Sequence, residues 1–494
     1  MSLFKPRCKA RLTVLLDPRG AKSKKDRYTI DVQPRRATVA RNGYHEADTW
    51  NMEFDTRLLP FDPDQIKQIE ARIYMWNSPD DDSSKFQWAL DRYEMIRGIA
   101  DDDEGAFVGE DNSIKLTGRD YTGVLIDVLW DPKRKVKSGL PLDELIQFIA
   151  DEAAPPGTMA RFRVENRTDD EMPIVGGTIG KVRSTRQKGD WIKPGKNHWD
   201  IIYDVAISAG YIAYVDTSSE DGQPLQPTII ITDPATQTKE TLRQAPRLAY
   251  GKHLSKLNVK RKFGREKTPQ QVIVAHDKLT GEEVRVTYPE QRNQVVTVFD
   301  TKIAVDKDEQ EFVPAPRGIF DRDLLLKYAK LRFYYRGRAE TTYTFETPVM
   351  SLTKTEEREL GVDTNDDFDL LRLRPGSAIG VRFDPFNREV LRALTPGERA
   401  EHITALGYHP QVARTIAQNM ETLNAFEQPY YFNGGEYDFD IDEGLSIKIE
   451  AVNFANAIIE EQLAKSSDQV GGVQGNGPTS GSTPPVLEGP PALE

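Results

Sequence analysis

Thr38-Val39-Ala40-Arg41-Asn42-Gly43-Tyr44-His45-Glu46-Ala47-Asp48-Thr49-Trp50-Asn51-Met52-Glu53-Phe54-Asp55 combines a turn signal with a strand signal. From Trp50 to Asp55 apolar and polar residues alternate, which is the period of a strand buried on one face. Asn42-Gly43 favours positive φ and so suits a turn between strands. Upstream, Ala10–Leu16 and Tyr28–Val32 are short β runs, broken by Asp17-Pro18 and Gln33-Pro34. Downstream, strands are expected at Ile69–Trp76, Trp88–Ile99 and Ser113–Asp120, with the acidic runs Asp80-Asp81-Asp82 and Asp101-Asp102-Asp103-Glu104 at loop tips. This rhythm, without long helices, predicts a small antiparallel β-barrel over 1–135.

The pattern then changes. Leu142, Leu145, Ile146 and Ile149 recur at helical spacing, with Ala153-Ala154-Pro155-Pro156-Gly157 as the stop. A second helix is expected over Trp199–Ala209, with Gly210 at its C-terminal cap and Tyr211–Val215 and Thr228–Thr232 as strands. Residues 136–240 therefore read as an inserted α/β module. From 241 to 390 the chain is again mainly β and predicts a second barrel, with a hairpin at Gln271–Tyr288 and a helix from Leu324 to about Tyr334. Thr395-Pro396-Gly397-Glu398 has the form of a capping box, and a further helix after Pro410 carries Val412, Ile416 and Met420 on one face. These define a helical insertion at 391–435, and 436–464 is expected to supply the closing strand of the second barrel. The stretch 465–494 is rich in Gly, Ser, Pro and Gln and too poor in large apolar residues to repay its ordering entropy, so it is expected to be disordered. The fold class expected is mainly β (α+β).

Composition narrows the function. The formal net charge of −12 argues against a general nucleic-acid binder, which needs a surplus of Lys and Arg to neutralise phosphates. A local basic strip between Arg243 and Lys267 includes Lys252, Lys256, Lys260, Arg261, Lys262 and Arg265. Its apolar residues Leu257, Val259 and Phe263 alternate with polar ones, so it reads first as a solvated strand face and second as a contact surface for an acidic neighbour. No run reaches the roughly 18–20 apolar residues of a membrane helix. The start, Met1 to Arg7, has no apolar core of a signal peptide, and Cys8 as sole cysteine excludes an internal disulfide.

Fragments that imitate catalytic motifs fail on physical detail. Gly176-Gly177-Thr178-Ile179-Gly180-Lys181-Val182 resembles a phosphate-binding loop, but the spacing is wrong and Val182 has no hydroxyl for magnesium. His45-Glu46 begins like a zinc-protease helix, but Thr49 stands where the second His is needed. The run Asp363–Asp367 lacks the glycine and the bidentate glutamate of a calcium loop, having Phe368 and Arg374 there. Asp438, Asp440 and Asp442 fall on one face of a predicted strand, with Tyr437, Phe439 and Ile441 on the other; this reads as an acid-coated wet face. The residues His198, His253, His276, His402 and His409 are scattered singly, and Cys8 lies in a basic strand lead. No catalytic, cofactor or metal residue is assigned, and the chain is expected not to be an enzyme.

Four segments in order resemble the tail hub (baseplate hub) family of phages and related injection machines, the late control protein group. These are Asn42–Trp50; Thr117-Gly118-Arg119-Asp120-Tyr121-Thr122-Gly123-Val124-Leu125-Ile126-Asp127; Trp199–Val215; and Leu248-Ala249-Tyr250-Gly251-Lys252 through Tyr288-Pro289. The Gly118, Arg119, Asp120, Tyr121 motif is the most specific of them, and Gly444–Ile449 with Asn453-Phe454 resembles the closing strand. The helical segment near 391–430 and the Pro/Gly tail depart from the family pattern.

The resemblance implies a structural protein without cofactor. Three copies, each with two similar barrels, would form a pseudo-sixfold ring that matches six-fold tube rings to a three-fold tip. Implied partners are a second and third copy of the chain, the tail tube or distal tail protein, a spike, fibre or other tail-tip protein, and the tape-measure protein, with transient passage of DNA. The place implied is the virion tail, assembled in the host bacterial cytoplasm. Asp438, Asp440 and Asp442 become candidates for an acidic, lumen-facing strand. The rival readings are a tail-associated cell-wall hydrolase and a carbohydrate-binding tip protein that stacks sugars on Tyr430-Tyr431-Phe432.

Overall fold

Alternation builds the first strand: in β1 (Lys5–Leu16), Cys8, Ala10, Leu12 and Val14 are buried, whereas Lys9, Arg11 and Thr13 stay partly open. The computed structural model describes residues 5–16, 27–43, 46–59, 61, 63–78, 94–108, 111–131, 135–137, 140–153, 161–168, 171–175, 186–188, 195–216, 227–232, 247–249, 254, 256–262, 267–276, 283–291, 294–298, 301–315, 321–337, 340–347, 351–352, 368–374, 377–383, 388–418 and 426–452. The strands β2 (Arg27–Val32), β3 (Arg36–Arg41), β4 (Thr49–Asp55), β5 (Ile66–Ser78), β6 (Glu94–Val108) and β7 (Asp111–Asp120) follow. All neighbours are antiparallel, in the spatial order β2-β1-β5-β6-β7-β4-β3.

The chain leaves this unit through α1 (Thr122–Asp127). Short strands β8 (Lys135–Lys137) and β9 (Leu140–Pro141) lead to α2 (Leu142–Ala153), which buries Leu142, Leu145, Ile146 and Ile149 as its spacing predicts. Next come β10 (Arg163–Asn166), β11 (Ile174–Val175), β12 (Arg186–Lys188), α3 (His198–Ser208), β13 (Ile212–Asp216) and β14 (Thr228–Thr232). Asn197 caps α3 by accepting from the Asp200 amide at 2.6 Å, and Gly210 at φ +84° ends it. Strand β14 lies between β10 (parallel) and β13 (antiparallel).

Beyond it lie β15 (Arg247–Ala249), β16 (Lys256–Lys262), β17 (Thr268–His276), β18 (Glu283–Tyr288), β19 (Val295–Val298), β20 (Thr301–Pro314) and α4 (Arg322–Gly337). The rest is β21 (Glu340–Thr347), β22 (Ser351–Leu352), β23 (Phe368–Asp369), β24 (Ala378–Phe383), α5 (Arg388–Ala393), α6 (Pro396–Ala405), α7 (Pro410–Gln418), β25 (Phe426–Asp440) and β26 (Gly444–Val452). The chain is thus mainly β with helices set between strands. Strands β17 to β20 form a four-stranded sheet of their own, in the order β18-β17-β20-β19.

Two parts of the 13-stranded sheet share one topology. In chain order, β3, β4, β5, β6 and β7 lie side by side as β5-β6-β7-β4-β3. In chain order, β16, β21, β24, β25 and β26 lie as β24-β25-β26-β21-β16. Every pairing in both sets is antiparallel. The fourth strand of each set carries the same irregularity against the fifth: β6 skips Asp101, between Ala100 and Asp102, and β25 skips Asn433, between Phe432 and Gly434. A bulge at one matching position is a designed bend and not a chance defect. The second set differs by what is inserted: β17–β20 with α4 between its first two strands, β22 and β23 between its second and third, and α5–α7 between its third and fourth.

Apolar faces of both sets merge into one core that includes Leu12, Trp50, Phe54, Ile73, Tyr343, Phe345, Val381, Phe439 and Ile449. A second core joins α1, α2, α3, β13 and β14 to the β17–β20 sheet and α4, so the two insertions pack on each other. Lys327 of α4 lies over the Tyr211 ring at 3.8 Å. The three short helices keep a small core of Leu391, Ile403, Ala413 and Ala417, and Thr395 with Glu398 forms the expected capping box.

Some local expectations are corrected. Asp101–Glu104 are not at a loop tip; they lie in β6, which runs on to Val108 in a hairpin with β7. In α7 Ile416 packs against the small core as expected, but the fully inward residues are Ala413 and Ala417, and Val412 is 47% exposed, because small residues let the helix approach Ile403 closely. Ile441 is 51% exposed because β25 ends at Asp440 and Ile441 starts the turn. The phosphate-loop-like stretch 176–182, His45, Asp80–Asp82, Asp363–Asp367, Met420, the 88–93 part of the expected strand, Asn453-Phe454 and the tail 465–494 lie outside the described residues.

Candidate functional site

Strand β25 belongs to two neighbourhoods on one edge. Its first half, Phe426 to Tyr431, pairs with β24, and its second half, Gly435 to Asp440, pairs with β3. The switch falls at the bulge. A side chain at Gly434 would bring its Cβ within 2.9 Å of the Arg41 carbonyl oxygen, so only glycine lets the two strands close here. Register runs from Gly435 opposite Arg41 to Asp440 opposite Arg36, joining the second five-strand set to the first.

At the outer end of this joint Arg36 Nε donates to Asp440 Oδ2 at 2.8 Å. Asp440 also accepts from the Asp442 and Glu443 amides at 2.8 and 3.2 Å, closing the turn. These amide bonds and Arg36 hold its carboxyl below the usual carboxylate range. Asp438 sits opposite Thr38 on the wet face, Tyr437 and Phe439 face the core, and Asp442 lies in the turn. The structure therefore separates the predicted acidic row into two strand residues and one turn residue.

The inner end is polar and closed. Arg41 is 2% exposed and donates to the Leu373 and Met95 carbonyl oxygens, the latter at 3.0 Å, with its guanidinium 5.4 Å from the Tyr437 ring centre. Burial lowers its pKa to about 10, with nearby Arg374 adding to the effect. Beside it a cavity of about 30 Å³ is lined by Asn42, Asp48, Asp120, Tyr214, Asp216 and Arg374 among others, drawn from both sheet sets and the α/β module. That is room for about one water.

The carboxylates here are committed to the chain itself. Asp48 accepts from the Asn42 amide at 2.8 Å, and Asp120 accepts from Thr122, from its amide at 3.0 Å and its hydroxyl at 2.9 Å. Burial pushes the Asp48 carboxyl up to about 6, against the pull of Arg41. Burial, then the charge of Asp48, pushes Asp120 well above the ordinary range. Asp216 meets Arg374 at 3.4 Å.

The Gly118-Arg119-Asp120-Tyr121 motif builds this end of the first set. A Cβ on Gly118 would lie 2.3 Å from the Ile99 carbonyl oxygen and 2.5 Å from Trp50 Cζ2, so the indole rests against bare backbone. Arg119 forks onto Asp101 at 2.7 and 2.8 Å and onto Asp127 at 2.8 and 3.0 Å, tying β6 to α1. Asp120 caps the turn into α1, and Tyr121, fully buried, donates its hydroxyl to Glu70 at 2.6 Å. Glu70 also pairs with Arg97 at 2.8 Å. Arg41, Glu70, Asp216 and Arg374 were not assigned to a site from the sequence; Asp48 lies within Asn42–Trp50, one of the four stretches that resemble the hub family.

Other predicted residues stay apart. Cys8 is buried in β1, and burial pushes its thiol up, away from nucleophilic use. His198 Nδ1 lies 2.7 Å from the Val128 carbonyl oxygen, while His402 and His409 are exposed on α6 and beside α7. Tyr430, Tyr431 and Phe432 are buried, with the Tyr430 hydroxyl 2.6 Å from that of Tyr343, so they offer no stacking platform. Among the described residues no group of three or more His, Cys, Asp or Glu is placed to hold a metal ion, and no helix is long and apolar enough to cross a membrane.

No protein-family model matches the chain, and no curated protein matches it. Among solved structures it is similar to the tail protein from Neisseria meningitidis MC58, at 12% identity over 90% of this chain and 96% of that one, with a TM-score of 0.47. It is similar to the prophage MuSo2 43 kDa tail protein from Shewanella oneidensis, at 13% identity over 90% and 98% of the two chains, TM-score 0.44. A third similarity is to an E. coli protein described as a component of the type VI secretion system, at 9% identity over 90% of this chain and 77% of that one, TM-score 0.42.

Proposed function

We propose that the chain is a structural hub of a phage or phage-like tail and not an enzyme, three copies forming a pseudo-sixfold ring between the tail tube and the tail tip. The observation that carries this reading is the repeated five-strand order with its shared bulge. Two like units in one chain, already joined edge to edge through β25 and β3, let three copies imitate six. Such a ring also covers strand edges that would otherwise pair without control. In this reading the first unit lies within 1–135, the inserted module at 136–240 and the second unit within 241–464, interrupted by the helices α5–α7, with 465–494 as a tail. Its neighbours are the tube or distal tail protein, a spike or fibre, and the tape-measure protein, and its place is the virion tail.

The wet-face carboxylates Asp438 and Asp440 are proposed to line the lumen. An acidic wall repels DNA over a Debye length of about 8 Å and keeps it from sticking during ejection. The carboxylates around the cavity beside Arg41 are held by hydrogen bonds and ion pairs within the chain, which favours this reading over a hydrolase with two convergent acids free to meet a substrate. The test is the copy number in assembled tails, by mass measurement and imaging of the hub. Three copies with six similar lobes are expected; six copies, or one, would overturn the reading, as would clearing of peptidoglycan by the pure protein.

A further inference from the structure

The internal joint has an unfilled counterpart. Matching the two sets through their bulges and ladders aligns Gly435 with Asp103 and Asp440 with Val108 on the fourth strands. The same ladders align Arg36 with Lys256, Val39 with Val259 and Arg41 with Arg261 on the first strands. Within the chain the fourth strand of the second set takes the first strand of the first set: β25 takes β3. The fourth strand of the first set, β6, leaves β5 after Ile99 and among the described residues has no strand on that edge from there to Val108. The first strand of the second set, β16, is the terminal strand of the sheet among the described residues.

We infer that β16 of one copy pairs antiparallel with the Asp103–Val108 segment of β6 in the next copy, in the register of the β3–β25 joint. That register sets Asp103 opposite Arg261, Glu104 opposite Lys260, Gly105 opposite Val259 and Phe107 opposite Leu257. The charges are complementary. Asp102, Asp103 and Glu104 are exposed along one strand and Lys260 and Arg261 along the other, while Asp101 is held by Arg119 and Lys256 by Glu346 within the chain. Opposite charges placed across a ladder stabilise it, and like charges destabilise it. The counterpart positions behave as an interface should: Val39 is fully buried in the internal joint, whereas Val259 is 38% exposed. The net charge of −12 makes random self-association unfavourable, so the basic strip supplies the local attraction that selects this edge.

The contact is head to tail, and such contacts close into a ring or grow into a filament. Closure at three copies rests on the hub reading; the edge pairing itself does not.

The test uses the full chain with paired cysteines under oxidation, Cys8 being buried. Glu104→Cys with Lys260→Cys, and Gly105→Cys with Val259→Cys, put sulfurs on facing residues within disulfide reach. Glu104→Cys with Asn258→Cys is the control, two residues out of register. Links between copies are expected for the aligned pairs and not for the control, in variants that melt like the wild type. A charge test runs beside it: Lys260→Glu is expected to raise the dissociation constant about three- to tenfold, and Glu104→Lys added to it to restore it. Linked species that stop at three copies support both the pairing and the ring. Linked chains longer than three keep the pairing and overturn the ring. Trimers without the aligned links keep the ring and overturn the pairing, and absence of any link at high protein concentration overturns the pairing.

Discussion

Arg36 and Asp440, 404 residues apart in sequence, share a 2.8 Å hydrogen-bonded ion pair at the end of the β3–β25 ladder. Both side chains reach solvent, and the pair sits on a joint whose strength comes from paired backbone and the buried faces of Val39, Tyr437 and Phe439. Asp440→Asn is expected to leave the melting temperature close to wild type, because exposed ion pairs contribute little. Ala37→Pro, which removes an N–H on the side of β3 that faces β25, is expected to lower it clearly. Equal effects of the two changes in a thermal melt would show that charge, not pairing, holds the joint.

Glycine matters where backbone meets backbone. Gly118→Ala would press a methyl into the Ile99 carbonyl and the Trp50 ring, and is expected to cost about 2–4 kcal/mol. Gly434→Ala, 2.9 Å from one carbonyl oxygen, is expected to cost less, about 1–2 kcal/mol. Urea unfolding ranks the two, and a reversed order would contradict the packing described.

Asp48 makes stability depend on pH. Its carboxyl is raised to about 6 in the fold, against about 3.9 in an unfolded chain. A raised folded value means that the contribution is complete below pH about 4 and is lost as pH rises through about 6. Asp48→Asn can still accept from the Asn42 amide through its Oδ1, and it removes the titration. Relative to this variant, the wild type is expected to lose stability as pH rises from 4 to 7, through Asp48 itself and through the burden its charge places on Asp120. Melting curves across that range should converge at low pH and separate at neutral pH; parallel curves would refute the assignment.

Tyr121→Phe deletes the hydroxyl that donates to Glu70 at 2.6 Å inside the first set. Glu70 keeps Arg97, so the expected cost is about 1–2 kcal/mol, that of one buried charge-assisted hydrogen bond. Replacing Glu70 with Ala removes the carboxylate that Tyr121, Arg97 and Arg72 share and is expected to cost more, about 3–5 kcal/mol. Equilibrium unfolding of both variants checks the order.

Much of the fold was legible because its signals are local. Trp50–Asp55 alternates and is a strand; Thr395 and Glu398 form a capping box; Gly210 ends α3. Reading failed where side-chain type and backbone state part company. Asp101–Glu104 look like a loop because they are all acidic, yet their amides and carbonyls sit in the β6–β7 hairpin. Val412 looks like a core residue, yet Ala413 and Ala417 are what fit against Ile403. Of the candidate site, the Gly118–Tyr121 motif stood out in sequence, while Arg41, Asp216 and Arg374 acquire meaning only from neighbours far along the chain.

Alone, the sequence determined the mainly β character, the places of α2, α3, α4, α6 and α7 and the surplus of negative charge, since periodicity, caps and composition act over a few residues. Only the tertiary structure decided that β25 leaves β24 for β3 at Gly434, and that two sets of five strands repeat one order. The reason is physical: ladder hydrogen bonds join amides and carbonyls that every residue carries, so a strand's partner is chosen by which faces bury together and not by its own letters.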